Sequence, residues 1–390
     1  MLQRVFIVLL VLLILPDLYL FFRYITPRTR NKWWRTLYWL PTASLTAGLL
    51  DLVYFGDRGL AVGHPQAVGW FAIFFFVCAA PKLVLALCAL IGAPFHRWLR
   101  WPRAPFTAVG LTLATLLAAA VLYGSFVGRT RFEVKQVSYA SARLPRAFDG
   151  YRVVQLSDIH VGSWAGQPEV VRRMVDMVNE QRPDLILFTG DLINHRAIEL
   201  DGFAPILARL KAKDGVYSVL GNHDYGTYFH WPSEQALADN LDSLKQREAD
   251  MGWTLLDNAH AILRRGNDSI ALVGVGNDGE PPFSRHADLP RATEGTRGLF
   301  RILMSHNPTH WRRAVLPQTD IDLMLAGHTH AMQLKINNYS PSKYIYPEWG
   351  GMYREGERAL YVNIGIGYVG LPFRFGAWPE ITVLTLEREK

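Results

Sequence analysis

The sequence is short of cysteine. Among 390 residues only Cys78 and Cys88 occur, both in an apolar stretch of the N-terminal third. From residue 129 onward there is none. This excludes a disulfide framework and a thiolate metal site in the rest of the chain, so any metal chemistry there must rely on oxygen and imidazole ligands. Carboxylates are scarce in the first third: Asp17, Asp51 and Asp57 stand against 11 Lys/Arg before residue 129. The remainder holds 30 Lys/Arg and 31 Asp/Glu, so the formal charge of +7 belongs to the first third. The later part lacks the basic stripe that a nucleic-acid-binding domain presents, and no nucleic-acid partner is expected. There is no internal repeat and no low-complexity run. A cleavable leader is not expected: the first apolar run is too long, no small-residue cleavage site follows it, and three more runs come after.

What the first third does contain is hydrophobic length. Residues 5–22, 37–55, 68–91 and 106–127 each approach or exceed the roughly 18–20 residues that cross a bilayer as a helix. Trp33, Trp34, Trp39, Trp98 and Trp101 flank these runs, as an aromatic belt would. Lys/Arg in short loops sets orientation. The first loop carries Arg23, Arg28, Arg30, Lys32 and Arg35, the third Arg97, Arg100 and Arg103, and the second only Arg58. The first and third loops are therefore expected in the cytoplasm and the C-terminal domain outside it, although Arg129, Arg131, Lys135, Arg143 and Arg146 pull the other way. Asp17, Asp51 and Lys82 fall within the apolar runs. Intramembrane charges mark functional sites by default. The plainer reading is that Asp17 and Asp51 lie near span ends and Lys82 snorkels or pairs inside the bundle.

The chain divides into a membrane region over 1–128, a juxtamembrane linker over 129–149 with an edge strand at 132–139, and a domain over 150–390. In that domain strands are expected at 151–156, 185–189, 216–220, 270–275, 299–304, 321–326, 359–363 and 381–386. Helices are expected from Pro168, over 203–211 and over 233–250, with Ser233 as N-cap. Strand and helix in alternation argue for a layered α/β domain.

The strands end in polar clusters. Tyr151 to Leu156 runs into Ser157-Asp158-Ile159-His160, and in an extended chain Asp158 and His160 would point to one side. Gly190-Asp191, Gly221-Asn222-His223-Asp224, Ser305-His306 and Gly327-His328-Thr329-His330 each close another apolar run. Taken alone, Gly190-Asp191 is usually a turn; together the five clusters describe one metal site. Oxygen and imidazole ligands suit Mn, Fe, Zn or Mg. Asp158, His160, Asp191, Asn222, His306, His328 and His330 are too many for one tetrahedral ion. Two divalent ions about 3.5–4 Å apart, sharing a carboxylate, would use them all, and would activate water and clamp a phosphoryl group. Glycine before Asp191, Asn222 and His328 is expected to permit tight turns. His195, His230, His260, His286 and His310 lack such framing and read as surface or packing residues.

This order of motifs resembles the calcineurin-like metallophosphoesterase superfamily over residues 150–390, and with the apolar runs ahead of it the chain is similar to the transmembrane proteins with a metallophosphoesterase domain. The resemblance implies a sandwich of two mixed sheets flanked by helices. It implies that Asp158, His160 and His330 hold one ion, that Asn222, His306 and His328 hold the other, and that Asp191 bridges. His223 matches the histidine that serves the leaving group, in keeping with imidazole's fitness as an acid near neutral pH. Two positions depart from the pattern. Asn194 stands where many relatives have a second acid that orients that histidine, leaving Asp224 as the nearby carboxylate. Ala331-Met332 stands where relatives often have two glycines, adding bulk beside the site. Arg374 is a candidate phosphate contact or a surface residue.

The resulting expectation is a membrane-anchored phosphohydrolase acting on a phosphodiester, phosphomonoester or pyrophosphate. The bilayer makes a lipid-linked substrate reasonable, and related branches include enzymes that cleave UDP-2,3-diacylglucosamine. Two other classes are a catalytically silent transport or signalling protein with a sensor domain, which predicts lost ligands, and a single-metal binding module, which predicts about one ion per chain.

Overall fold

The structure, a computed structural model, describes residues 2–54 and 65–389. Contacts divide the chain into two units: Met1–Gly128 with Gly370–Phe373, and Arg129–Val369 with Arg374–Lys390.

Among the described residues, the first unit contains four long helices, α1 (Leu2–Leu20), α2 (Lys32–Tyr54), α3 (Pro65–Leu99) and α4 (Ala104–Phe126). Three stretches among the described residues are long and apolar enough to cross a membrane: Phe6–Ile25, Ala67–Leu99 and Ala104–Thr130. The second expected span falls in α2, which has 23 residues, enough to cross a core of about 30 Å at 1.5 Å per residue, but is less apolar. The expected loop with Arg58 lies outside the described residues. Asp17 is not near a span end: it sits twelve residues into Phe6–Ile25 and is fully buried. Lys82 of α3 reaches it at 2.9 Å, and Tyr38 and Thr42 of α2 donate to its two oxygens, so one carboxylate ties three helices together. Asp51 lies in the last turn of α2, as expected.

The second unit is a sandwich of two six-stranded mixed sheets. Its strands are β1 (Glu133–Ser141), β2 (Tyr151–Leu156), β3 (Leu185–Phe188), β4 (Val216–Ser218), β5 (Trp253–Leu255), β6 (Ala259–Arg265), β7 (Asp268–Gly274), β8 (Phe300–Met304), β9 (Leu323–Ala326), β10 (Gly351–Glu355), β11 (Arg358–Val362) and β12 (Glu380–Arg388). One sheet has the order β1-β12-β2-β3-β4-β5 and the other β10-β11-β9-β8-β7-β6. β3 shows why both faces are covered. Its four residues, Leu-Ile-Leu-Phe, are all buried, Leu185 and Leu187 between the sheets, Ile186 and Phe188 under the outer helices. The helix α5 (Pro168–Glu180) supplies Val171, Met174, Val175 and Val178 to that outer layer, and α6 (Glu234–Asp250) starts at Ser233, whose hydroxyl accepts from the Ala236 amide.

Three differences from expectation have physical causes. The edge strand expected at 132–139 is present as β1, but residues 129–149 are part of the second unit and not a linker ahead of it, because β1 pairs along its whole length with β12 while Leu144 and Phe148 join the core between the sheets. The helix expected over 203–211 shrinks to Ala204–Leu207; Asn179 accepts from the Lys211 amide and donates to the Arg209 carbonyl, drawing that backbone out of helical geometry. β5, β6 and β10 were not anticipated, being short or lacking a clean apolar alternation, although the Gly266-Asn267 pair between β6 and β7 is a hairpin signal.

Candidate metal centre

The carboxyl ends of β2, β3 and β4 in one sheet and of β8 and β9 in the other carry the seven candidate ligands. All are buried except His328, which is partly exposed. They do not sit on extended backbone. Asp158, His160, Asp191, His328 and His330 all have φ between +48° and +75°, a region that non-glycine residues rarely occupy. The expectation that Asp158 and His160 converge as neighbours on an extended strand therefore gives way to another route. β2 stops at Leu156, and the amides of Asp158 and His160 bond instead to the carbonyls of Gly190 and Asp191, at 2.9 and 3.1 Å. The His328 amide donates to Asp158 Oδ2 at 2.9 Å, stitching the two sheets together at the site.

The side chains gather in two overlapping groups. In one, His330 Nε2 is 3.1 Å from Asp158 Oδ1 and 3.2 Å from His160 Nε2. In the other, His306 Nε2 is 3.2 Å from Asp191 Oδ2 and 3.3 Å from His328 Nδ1. Asp191 Oδ2 also lies 3.6 Å from His160 Nε2, so this one carboxylate faces both groups. Imidazole nitrogens facing each other at these distances match the edge of a tetrahedron built on metal–nitrogen bonds of about 2.0–2.1 Å, an edge of about 3.3–3.4 Å. Asn222 Oδ1 is buried with no hydrogen-bond partner, as a ligand oxygen would be. With no sulfur in the set, the residues fit hard or borderline divalent cations.

Hydrogen bonds fix the rings. His306 Nδ1 donates to the Thr189 carbonyl at 2.8 Å, which turns Nε2 toward Asp191. Burial disfavours charge on His306, yet Asp191 more than compensates and raises its pKa to about 9. Burial and then His306 push His328 down to about 3, and burial with His223 holds His160 well below the usual range. Burial would raise Asp158 and Asp191, but His330 beside the first and His306 beside the second carry both below the carboxylate range. A divalent cation held here would compete with the His306 proton for Asp191, so its uptake would release protons.

The glycines act through space more than through φ. Of Gly190, Gly221 and Gly327, only Gly190 has a positive φ, at +94°. At Gly221 a Cβ would collide with Asp191 Oδ1, and at Gly327 with Ser157 Oγ and Asp158 Oδ2, so both leave room for ligand carboxylates. The expected glycine pair after His330 has a conformational reason: Ala331 and Met332 have φ of +50° and +48°, costing roughly 1–2 kcal/mol each through a Cβ clash that glycine lacks. Met332 is half exposed, and Ala331 is buried.

His223 is partly buried with its ring 4.8 Å from that of His160. Its Nδ1 donates to the backbone carbonyl of Asn194 at 2.7 Å. The Asn194 side chain turns away and donates to Ser163 Oγ. Asp224 does not take over as partner to the ring. Its two oxygens accept from the amides of Asp191, Leu192, Ile193 and Gly221 at 2.7–3.2 Å, binding the two ligand loops together. Burial and Asp191 raise its pKa to about 7. Arg374 is neither a surface residue nor free for a phosphate. It is fully buried, bonded to the carbonyls of Gly367, Ala377 and Ile364, with Nη2 3.0 Å from His330 Nδ1, so it braces that ring from behind.

Among the histidines set aside, His310 packs between Ser305 Oγ at 2.9 Å and Asp278 at 3.3 Å, and His286 stacks on Tyr225. His260 Nδ1 meets the Ala292 carbonyl, and His230 is exposed. His195 is nearer the centre than its context suggested, with its ring 5.9 Å from His223. Sequence reasoning missed Tyr228, whose hydroxyl accepts from Asn222 Nδ2 at 3.0 Å, and Tyr346, 2.9 Å from His328 Nε2. Neither belongs to a motif, and only their later place in the fold brings them here.

Comparison with known proteins gives consistent findings. Residues 3–129 match the family described as probable calcineurin-like phosphoesterase, transmembrane domain, and residues 151–332 match the calcineurin-like phosphoesterase family. The chain is 32% identical to the uncharacterized metallophosphoesterase YkuE of Bacillus subtilis, covering 70% of this chain and 93% of that one. It is 30% identical to the transmembrane protein with metallophosphoesterase domain of Danio rerio, covering 97% and 87%. It is 27% identical to the UDP-2,3-diacylglucosamine pyrophosphatase LpxG of Chlamydia trachomatis, covering 72% and 98%.

Proposed function

Because the chain belongs to the calcineurin-like phosphoesterases, and to their membrane-anchored branch, it is a metal-dependent phosphohydrolase, and we propose that it uses two divalent ions to cleave a phosphorylated, lipid-linked substrate at the bilayer. Asp158, His160 and His330 would hold one ion and Asn222, His306 and His328 the other, with Asp191 shared. The observation that carries this reading is the position of Asp191 Oδ2, within 3.2 Å of His306 Nε2 and 3.6 Å of His160 Nε2. Bound there, the ions would activate water and neutralise the phosphoryl oxygens. The chain's own residues do the rest. Asp191 and Asp158 balance the positive charge, Asp224 keeps the loops of Asp191 and Asn222 in register, and His223 presents Nε2 to protonate the leaving oxygen.

The activity in the name of LpxG, aligned over 98% of its length, supports a lipid-linked pyrophosphate such as UDP-2,3-diacylglucosamine as the first compound to assay. Asp191→Asn tests the shared carboxylate. The expected outcome is loss of hydrolysis and a fall in bound metal from two ions per chain to one or fewer, with thermal unfolding preserved. Retained turnover with two bound ions would sink the bridging role.

A further inference from the structure

The partner of His223 is a neutral backbone carbonyl, and a carbonyl orients a ring only as well as its own peptide is held. Residues 193–196 belong to no helix or strand. The amides of residues 194–196 are spent on one side chain. Glu199 Oε2 accepts from the Asn194 amide at 2.7 Å, and Glu199 Oε1 from the amides of His195 at 3.0 Å and Arg196 at 2.9 Å. The same carboxylate lies against Gly162, where a Cβ would collide with Oε2 and approach Asn194 Oδ1 to 3.0 Å. On the far side, Asn194 Nδ2 donates to Ser163 Oγ, which donates to the Tyr368 carbonyl. The peptide that holds His223 is thus fixed at its amide by Glu199 and at its side chain by Ser163.

We propose that Glu199 is a positioning residue for His223: it gathers three amides, fixes the Asn194 carbonyl, and so aims the ring, doing by backbone geometry what an acidic side chain at position 194 would do directly. The inference rests on the reading of His223 as the group that protonates the leaving oxygen. A carboxylate that clamps backbone also explains why Asn is tolerated at 194: the group that meets the ring is main chain, and the side chain is needed only to reach Ser163.

The test is the dependence of rate on the leaving group, measured on the full chain in detergent. A p-nitrophenyl phosphodiester needs no proton on its leaving oxygen, whereas an alkyl phosphodiester does. General acid catalysis contributes about 10²–10⁴-fold. Glu199→Ala is expected to lower kcat on the alkyl ester about 10–100-fold and on the p-nitrophenyl ester by less than about 3-fold, with unchanged metal content. Glu199→Gln, which keeps one acceptor oxygen, should fall between Glu199→Ala and the unsubstituted protein. Gly162→Ala, which pushes on the same carboxylate, should reproduce the pattern and decides the matter should Glu199→Ala fail to fold. Equal losses on both esters, or none, would overturn the proposal. His223→Asn separates the two levels. A preferential loss on the alkyl ester in this variant, without one in Glu199→Ala, overturns the role of Glu199 alone. An equal loss on both esters in His223→Asn overturns the reading of His223 and the inference with it.

Discussion

Glu248 shows what a single buried carboxyl does to the domain. It sits on α6, fully buried, with one oxygen bonded to Ser218 of β4 and the other without a partner. Burial, with Asp224 nearby, raises its pKa to about 8. A carboxyl whose pKa rises on folding contributes stability that is full below its ordinary value near 4.5 and is lost as pH climbs through 8. The loss amounts to roughly 4–5 kcal/mol at about 1.36 kcal/mol per unit. Unfolding temperatures of the catalytic unit should therefore fall between pH 5 and pH 8, and Glu248→Gln should flatten that decline; thermal scans at constant ionic strength check it, and an unchanged slope would refute it. Nothing in the sequence marked Glu248, which occupies an ordinary helical position. The seven candidate ligands were legible because in them the side-chain type carries the chemistry. The partner of His223 was not, because a backbone carbonyl leaves no trace in residue identity. Glu199 left a faint one, three residues after the cap position at Arg196, where a capping-box acid belongs.

At the level of elements, the tie between α1, α2 and α3 is the feature most open to test. In a bilayer an unpaired charge is costly, and breaking a buried pair by removing one partner costs about 3–5 kcal/mol. Asp17→Asn and Lys82→Met should each lower the unfolding temperature in detergent, while the double variant should recover most of the loss. A double variant as unstable as the two losses combined would show that packing, not the pair, accounts for the effect. Four apolar runs announced four helices, but their polar residues could not be paired from sequence, since the contacts span up to 65 positions. In the second unit, strands with both faces buried were read easily as continuous apolar runs. The three-residue β5 offers too little period to read, and the helix after Phe203 is overridden by a tertiary contact from Asn179.

For the molecule as a whole, orientation is the property that most directs the search for a substrate. Loop charges lead us to expect the catalytic unit outside the cytoplasm, and paired reporters fused after Lys390, one active only outside and one only inside, are expected to report an outside location. An inside result would show that the basic residues from Arg129 to Arg146 dominate and would favour nucleotide-linked lipid precursors. The order of the sheet also has a consequence in time. β2, whose exit carries Asp158 and His160, has β12 as its neighbour, and β12 joins it to β1. A ribosome makes β1 and β2 some 230 residues before β12. Until then two strands of the sheet wait with open edges, and a message cut short by a late stop codon yields a chain with every metal ligand and no completed sheet to hold them. The last strand to emerge is thus the one that completes the sheet from whose edge Asp158 and His160 leave.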